Sequence, residues 1–460
     1  MSVGFFMCMR HDAWVRVEVL DKNEEEVKVM SLPKNVNQDT ILIHGGFDSD
    51  QATGALEVPI YQTAAYDMES ADHAADLFGL RATGNIYSRI MNPTTSVFEE
   101  RVNALEGGVG ALAFSSGHAA IVGTITNLAQ VGDEIVSSAV IYGGTYSVFT
   151  STLPGFGINV KFAEGGLAEN FEKLITPKTK ALFAETLGNP RIDVLDIEAV
   201  AAVAKKHGLP LIIDATFSPY INRSIDFGAD IVIHSATKFM DGHGSSMGGV
   251  VVDAGKFDYA SEKFPLFFEP DPTYHGLKYS DLGAAAFITR LRVKVMRDQG
   301  ACLAPFNSFL FARGLETLHL RMERHSKNAL EVAKFLEGSD LVSWVSYPDL
   351  ESHPDHALAK KYFPKGSGAI LTFGIKGGRD AGRKFIDALQ LFALVANVGD
   401  TRSLVIHPAS TTHSQLSPEQ LAAAHVTEDM VRLSVGIEAI TDILTDLEQA
   451  LTASQAPDSK

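Results

Sequence analysis

Between residues 95 and 233, short apolar runs alternate with helical faces. Thr95 to about Glu106 carries a helical pattern that stops at Gly107-Gly108. Ala111 to Phe114 is a short apolar run ending in Ser115-Ser116-Gly117-His118, and a helical stretch of small residues follows through Leu128. Glu134 to Ser137 then leads into Tyr142-Gly143-Gly144-Thr145, and Ala181 to Ala184 leads into Glu185, Gly188, Asn189 and Pro190. A helical face from Asp196 to Lys206 is stopped by Gly208, the run Leu209 to Ile213 ends on Asp214, and Asp230 to Ile233 leads into Ser235, Thr237 and Lys238. Short strands alternating with helices predict an α/β domain with a mostly parallel sheet. Ligands of such sheets collect at the carboxyl ends of the strands, and each polar cluster just named falls at such an end.

The flanks read differently. Residues 1–34 form an N-terminal extension, and from Val36 to about Thr95 glycines and prolines are scattered without a sustained period. This is the pattern of an arm that leans on something else. It contains Tyr87-Ser88-Arg89 and the turn signal Asn92-Pro93-Thr94. Phe264 to Arg297, with its FFEPDPTYHG, also lacks a clear period. Beyond about residue 311 a helical run (Pro305 to Leu336), a β-like run (Ala369 to Ile375), a helical run (Asp380 to Leu389) and a last helix from Ala439 suggest a smaller α+β domain. The expected divisions are therefore 1–34, an arm over 35–94, a large domain over 95–310 and a second domain over 311–460.

Composition narrows the function classes. A chain of 460 residues exceeds one typical hydrophobic core. Its net charge of −17, with no basic run, repels phosphate backbones and anionic lipid, which argues against nucleic-acid and membrane partners. No apolar run has the length of a membrane-spanning helix, and the N-terminus turns acidic at Glu24 to Glu26, unlike a signal peptide. Two cysteines, Cys8 and Cys302, exclude a disulfide framework and fit a reducing cytoplasm. Neither His-Glu-x-x-His nor Cys-x-x-Cys occurs, so no metal site is expected.

The stretch IVIHSATKFMDGHGSSMGG, 231–249, delivers Lys238 off a strand end into a loop of hydroxyls and glycines. Asp214 closes another apolar strand 24 residues earlier, and an ionised carboxylate there needs a cationic partner. The two could form a salt bridge. They could instead grip opposite edges of one ring, an aldehyde held by the amine and a protonated pyridine nitrogen held by the carboxylate, as proteins hold pyridoxal phosphate. A phosphate would then find N–H donors at Gly117 and His118, at a helix start, and hydroxyls at Ser235 and Thr237. Tyr142, followed by two glycines, is either a core tyrosine or a face for the ring to stack on. Arg432 lies in an otherwise apolar run and must find an anion, either a structural carboxylate or the α-carboxylate of a substrate. Asn397, just before Gly399 and Asp400, is either a turn residue or its helper.

Taken together, Tyr87-Ser88-Arg89, SSGHAA (115–120), YGGT (142–145), Asp214-Ala215-Thr216, HSATK (234–238) and RLSVGIE (432–438) resemble the Cys/Met-metabolism group of pyridoxal-phosphate enzymes, from about residue 36 onward. Within it, NIYSRIMNPT (85–94), RGLETLHLRMERH (313–325), ANVGDTRSLVIHPASTTH (396–413) and the long 264–297 segment look most like O-acetylhomoserine sulfhydrylases. The resemblance implies an aspartate-aminotransferase-like fold, assembled as a homotetramer of two active dimers. It implies Lys238 as cofactor anchor and proton carrier, Asp214 on the pyridine nitrogen and Tyr142 on the ring face. Gly117, His118, Ser235 and Thr237 would hold the phosphate, with Tyr87 and Arg89 reaching in from a neighbouring subunit. Arg432 would bind the substrate carboxylate, with Asn189 and Asn397 nearby. The chemistry implied is γ-replacement on O-acetyl-L-homoserine by sulfide; cystathionine γ-synthesis or methionine γ-elimination would use the same residues. Two departures stand out: Gly144 replaces the cysteine typical of methionine γ-lyases, and DATFSPY (214–220) is one residue shorter than the usual Asp-Asn-Thr pattern.

Overall fold

The computed structural model describes the backbone of residues 7–10 and 13–16, and residues 36–412, 421 and 426–456. Strands β1 (Met7–Arg10) and β2 (Ala13–Arg16) pair antiparallel; the rest of the 1–34 extension lies outside the described residues.

Seven strands form the large sheet: β3 (Gly110–Phe114), β4 (Glu134–Ser138), β5 (Asn159–Ala163), β6 (Thr179–Glu185), β7 (Leu211–Asp214), β8 (Ile231–His234) and β9 (Gly249–Asp253), in the order β3-β9-β8-β7-β6-β4-β5. From β8 to β5 all pairings are parallel, and β9 runs antiparallel to both β3 and β8. The apolar runs are continuous rather than alternating because both faces are covered. Leu211, Ile213 and Val232 pack into one core, and Ile212, Ile231 and Ile233 into the core on the other face. The helices Pro93–Glu106 and Gly117–Leu128 contribute to these two cores respectively.

The 264–297 segment sends its aromatic and later apolar side chains into the core. Tyr259 stacks on Phe267 at 4.4 Å, Phe264 meets Tyr259 edge-on, and Arg290 lies over Phe267. Its end, 286–299, is helical, with a wider π-type stretch at Leu291–Met296. That widened stretch disturbs the helical period, which is why the sequence pattern there is illegible.

Five strands form a second sheet: β10 (Val342–Ser346), β11 (Ile370–Ile375), β12 (Ala393–Leu394), β13 (Leu404–Ile406) and β14 (Met430–Ser434), ordered β10-β11-β14-β13-β12 and antiparallel except for β12 with β13. Helices Leu318–Glu337, Gly378–Ala388 and Ile440–Ser454 close its core. The long helical run from Pro305 breaks at Thr317 into Pro305–Glu316 and Leu318–Glu337. Among its described residues the arm holds the short helices Gln38–His44 and Ala71–Phe78 ahead of the helix Pro93–Glu106, and it leaves Leu56 (83 %) and Phe78 (61 %) exposed.

Candidate active site

The lysine is placed by the end of β8. After His234 the chain turns, with the Lys238 N–H donating to the Ser235 carbonyl at 3.2 Å. The Thr237 hydroxyl and the Gly248 main chain bond each other reciprocally at 3.1 Å, tying the loop to the start of β9. Two glycines make that closure possible. A Cβ at Gly249 would lie 2.3 Å from the Ser116 carbonyl oxygen, and one at Gly248 would lie 2.3 Å from the Phe311 ring. The Ser116-Gly117 turn is thereby brought against the lysine loop, so close that a Cβ on Gly117 would sit 2.7 Å from the Ser235 Cβ. Gly117 and His118 open the 12-residue helix capped by the Ser116 hydroxyl, which accepts from the Ala119 N–H at 3.1 Å. Free N–H groups of such a first turn, beside the Ser235 and Thr237 hydroxyls, form a ready anion cradle.

Lys238 Nζ donates to Asn397 Oδ1 at 2.6 Å. Burial, and secondarily the positive charge of Arg432, lower its pKa to about 8. Arg432 comes from β14 of the second sheet, so the site lies between the two sheets. Its guanidinium is buried, donates to Asn189 Oδ1 at 3.0 Å, and is lowered to about 10 by burial, with Tyr142 as the opposing influence. No carboxylate among the described residues lies within ion-pair distance of it. A buried guanidinium without a carboxylate is costly, and an arriving substrate carboxylate would relieve that cost.

Asp214 ends β7 as its one half-buried residue. Burial raises its pKa, while the Thr216 N–H and hydroxyl, donating to Oδ1 at 2.9 and 2.5 Å, and then His234 and His118, hold it down. The same Thr216 hydroxyl accepts from the Ser235 N–H at 2.8 Å. The Asp-Ala-Thr departure therefore keeps its chemically active member: the threonine fixes the carboxylate and links it to the lysine loop. His118, its pKa lowered chiefly by burial, stacks on Tyr142 at 5.8 Å between centroids and 28° between planes. At Gly144 a Cβ would come within 2.5 Å of the Tyr142 ring and 2.8 Å of His118. Any side chain there, a cysteine included, would displace the stacked pair.

Lys238, Asp214, Tyr142, Gly117, His118, Ser235, Thr237, Asn189, Asn397 and Arg432 thus converge. Tyr87 and Arg89 do not join them within one subunit. Arg89 lies over the Tyr87 ring at 4.9 Å and beside Gly300. Two groups stand in the sequence motifs without an assigned role. Glu185 ends β6 beside Asp214 and accepts from the Tyr142 N–H at 2.8 Å. His234, wholly buried, faces Glu106 at 2.8 Å. Their signal was the one that exposed Asp214, a titratable side chain ending a buried strand. A separate cavity of about 410 Å³, lined by Asp39, Tyr220, Arg223 and Lys365, contains none of the converging residues.

A family model for Cys/Met metabolism PLP-dependent enzymes matches residues 39–452. This chain belongs to that family. Pyridoxal phosphate is accordingly its cofactor, and the site fits it: an anion cradle whose walls close so tightly that a side chain at Gly117 or Gly249 would force them apart, a carboxylate positioned by hydrogen bonds, and a buried amine of lowered pKa. The chain is 52 % identical over 433 residues to an O-acetyl-L-homoserine sulfhydrylase of Leptospira meyeri, covering 92 % of this chain and 98 % of the relative. It is 50 % identical to a homocysteine synthase of Schizosaccharomyces pombe, covering 90 % and 97 %. A crystal structure of a proposed O-acetylhomoserine (thiol)-lyase from Campylobacter jejuni, containing a pyridoxyl-lysine monophosphate, superposes with a TM-score of 0.89 at 41 % identity, covering 91 % of this chain and all of that one. The fold is the aspartate-aminotransferase-like PLP fold, with a large, mostly parallel sheet.

Proposed function

We propose that this PLP-dependent enzyme replaces the acetate of O-acetyl-L-homoserine with sulfide, giving L-homocysteine and acetate. The observation that carries the reading is the pairing of a buried amine lowered to about 8 with a buried guanidinium lacking a carboxylate, in a chain half identical to enzymes named for this reaction.

In this reading Lys238 anchors the cofactor, Asp214 faces its ring nitrogen, and Tyr142 covers its ring. Gly117, His118, Ser235 and Thr237 receive the phosphate. When bound, pyridoxal phosphate supplies a sink for the electrons left at the substrate α-carbon after deprotonation. Arg432, steadied by Asn189, takes the substrate carboxylate in a bidentate grip and so fixes the α-carbon before Lys238. The Lys238 amine, about half neutral at pH 8, would take the α-proton, pass it on to the conjugated system that pyridoxal phosphate would supply, and then, neutral again, take a β-proton. Asn397 Oδ1 accepts from Nζ and so orients its lone pair. Acetate leaves the γ-carbon, sulfide adds there, and Lys238 returns protons to the β- and α-carbons.

The reading extends to assembly. Tyr87 and Arg89 serve a neighbouring subunit's site, the exposed apolar arm packs on that neighbour, and the chain works in the cytoplasm as a homotetramer of two active dimers. The divisions at 35–94, 95–310 and 311–460 follow as arm, cofactor domain and substrate-side domain. The crowding at Gly144 favours replacement over the methionine γ-elimination associated with a cysteine there. Supplying O-acetylhomoserine with sulfide, cysteine or no nucleophile tests the activity: homocysteine from sulfide is expected as the dominant product. Cystathionine from cysteine, or an oxo acid without any nucleophile, in greater yield would overturn it.

A further inference from the structure

Glu185 and Asp214 are register partners on the parallel strands β6 and β7, so their main chains lie about 4.8 Å apart. They also share a face. Along β6, Leu182 and Ala184 pack into one core and Ala181 and Phe183 into the other; along β7, Leu211 and Ile213 pack into the first and Ile212 into the second. One step further along each strand, the period-two alternation aims both carboxyls at the second face. That is the face of helix Gly117–Leu128, which carries His118.

Two neighbouring carboxylates without a cation between them cannot both stay ionised. Their surroundings divide the charge unequally. Asp214 accepts two bonds from Thr216 and feels His234 and His118, all of which favour its charged form. Glu185 is 9 % exposed, has Asp214 against it, and accepts one main-chain N–H, that of Tyr142. No lysine or arginine among the described residues pairs with it.

We propose that Glu185 is a positioning residue, a neutral carboxylic acid that anchors the Tyr142 main chain and leaves the negative charge of the carboxyl pair on Asp214. This rests on the reading that Tyr142 covers the cofactor and Asp214 faces its ring nitrogen. The second carboxyl is thus built into the site as an uncharged acceptor. Its oxygen fixes the Tyr142 main chain at the start of the helix Gly143–Ser147, while its proton prevents a repulsion that would otherwise neutralise Asp214. Burial by the surrounding elements acts in the same direction, raising Glu185 well above the usual carboxylate range.

The test uses the holoenzyme. Borohydride trapping and peptide mapping of the wild type first locate the cofactor, and attachment to Lys238 checks the site reading without involving Glu185. Glu185→Gln keeps the shape and the acceptor oxygen and is neutral at every pH. Its cofactor absorbance should titrate within about 0.3 pH unit of the wild type, and its kcat/KM should stay within about threefold. Glu185→Ala removes the acceptor; about a tenfold loss of kcat/KM, with a weakened visible circular-dichroism band of the cofactor, is expected. An absorbance midpoint displaced by more than about one unit in Glu185→Gln would mean that an ionised carboxylate had been removed, and would overturn the inference. So would a glutamine variant as impaired as the alanine one. Attachment of the cofactor elsewhere than Lys238 would overturn the site reading and the inference together. The glutamine variant alone decides the matter if the alanine variant does not fold.

Discussion

The two ends of the large sheet both bury carboxyl groups, yet they are different chemically. At the carboxyl ends of β6 to β8, Asp214 and Glu185 meet donated hydrogen bonds, imidazoles and, across the cleft, an amine and a guanidinium. At the opposite end, Asp253 closes the antiparallel β9 against Ile231, near Asp230 and Tyr259. There burial pushes Asp253 up to about 7 and Asp230 up to about 6, and both Asp253 Oδ2 and the Tyr259 hydroxyl lack partners. A raised carboxyl pKa therefore does not by itself mark a site in this protein. Convergence of opposite charges from separate elements does, and it occurs at one end of the sheet.

Substitutions at the two ends should separate activity from stability. The largest effect is expected of Lys238→Ala, with turnover falling by roughly 10³-fold or more because both anchor and proton carrier are lost. The melting temperature should hold or rise, since a buried amine is removed. Steady-state rates and thermal unfolding check both, and retained turnover would sink the assignment. Gly249→Ala should come next. Its methyl group has to displace the Ser116 carbonyl, 2.3 Å away, so the anion cradle would open and cofactor affinity should fall by about 10- to 100-fold, the weight of one or two charge-assisted hydrogen bonds. Equilibrium dialysis against pyridoxal phosphate measures this. Arg432→Ala should raise KM for the amino acid by about 10- to 100-fold for the same reason while keeping the cofactor absorbance. Loss of the cofactor instead would show that this guanidinium serves the phosphate.

The convergent end was largely legible in the sequence because strand ends are punctuated. Asp214, Tyr142 and Lys238 each follow an apolar run and precede a turn, so topology alone gathers them. Arg432 was legible as a charge inside an apolar run. What escaped has physical causes. β9 follows directly on a glycine tail, and its three valines give too short a run to distinguish strand from loop. β5 alternates Asn159, Lys161 and apolar residues at the edge of the sheet, where less of it must be buried. The end of the 264–297 segment hid its helix behind a π-type stretch. Glu185 was read as the start of a turn; its neighbour on β7, Asp214, becomes visible only once the strand register is known.

The smallest expected effect tests the other end of the sheet, and its sign is definite. A carboxyl raised to about 7 in the folded chain, against about 3.9 unfolded, binds its proton more tightly when folded. Between roughly pH 4 and 7 the folded state holds more protons than the unfolded state, so stability from this group falls as pH rises and levels off above its folded pKa. Asparagine cannot ionise. Asp253→Asn should therefore stabilise the protein by about 1–2 kcal/mol at pH 8.5, a discounted share of the roughly 1.4 kcal/mol per unit that the displacement allows. Near pH 4.5, where Asp253 is already protonated in the fold, the gain should shrink to near zero or reverse, because the amide must still accept from the Gly255 N–H that now bonds Oδ1 at 2.8 Å. Denaturant midpoints at the two pH values, alongside unchanged kcat/KM at both, give the measurement. A change in turnover would mean that the two ends of the sheet are coupled; a stability gain equal at both pH values would mean that the buried charge at Asp253 is not what limits the fold.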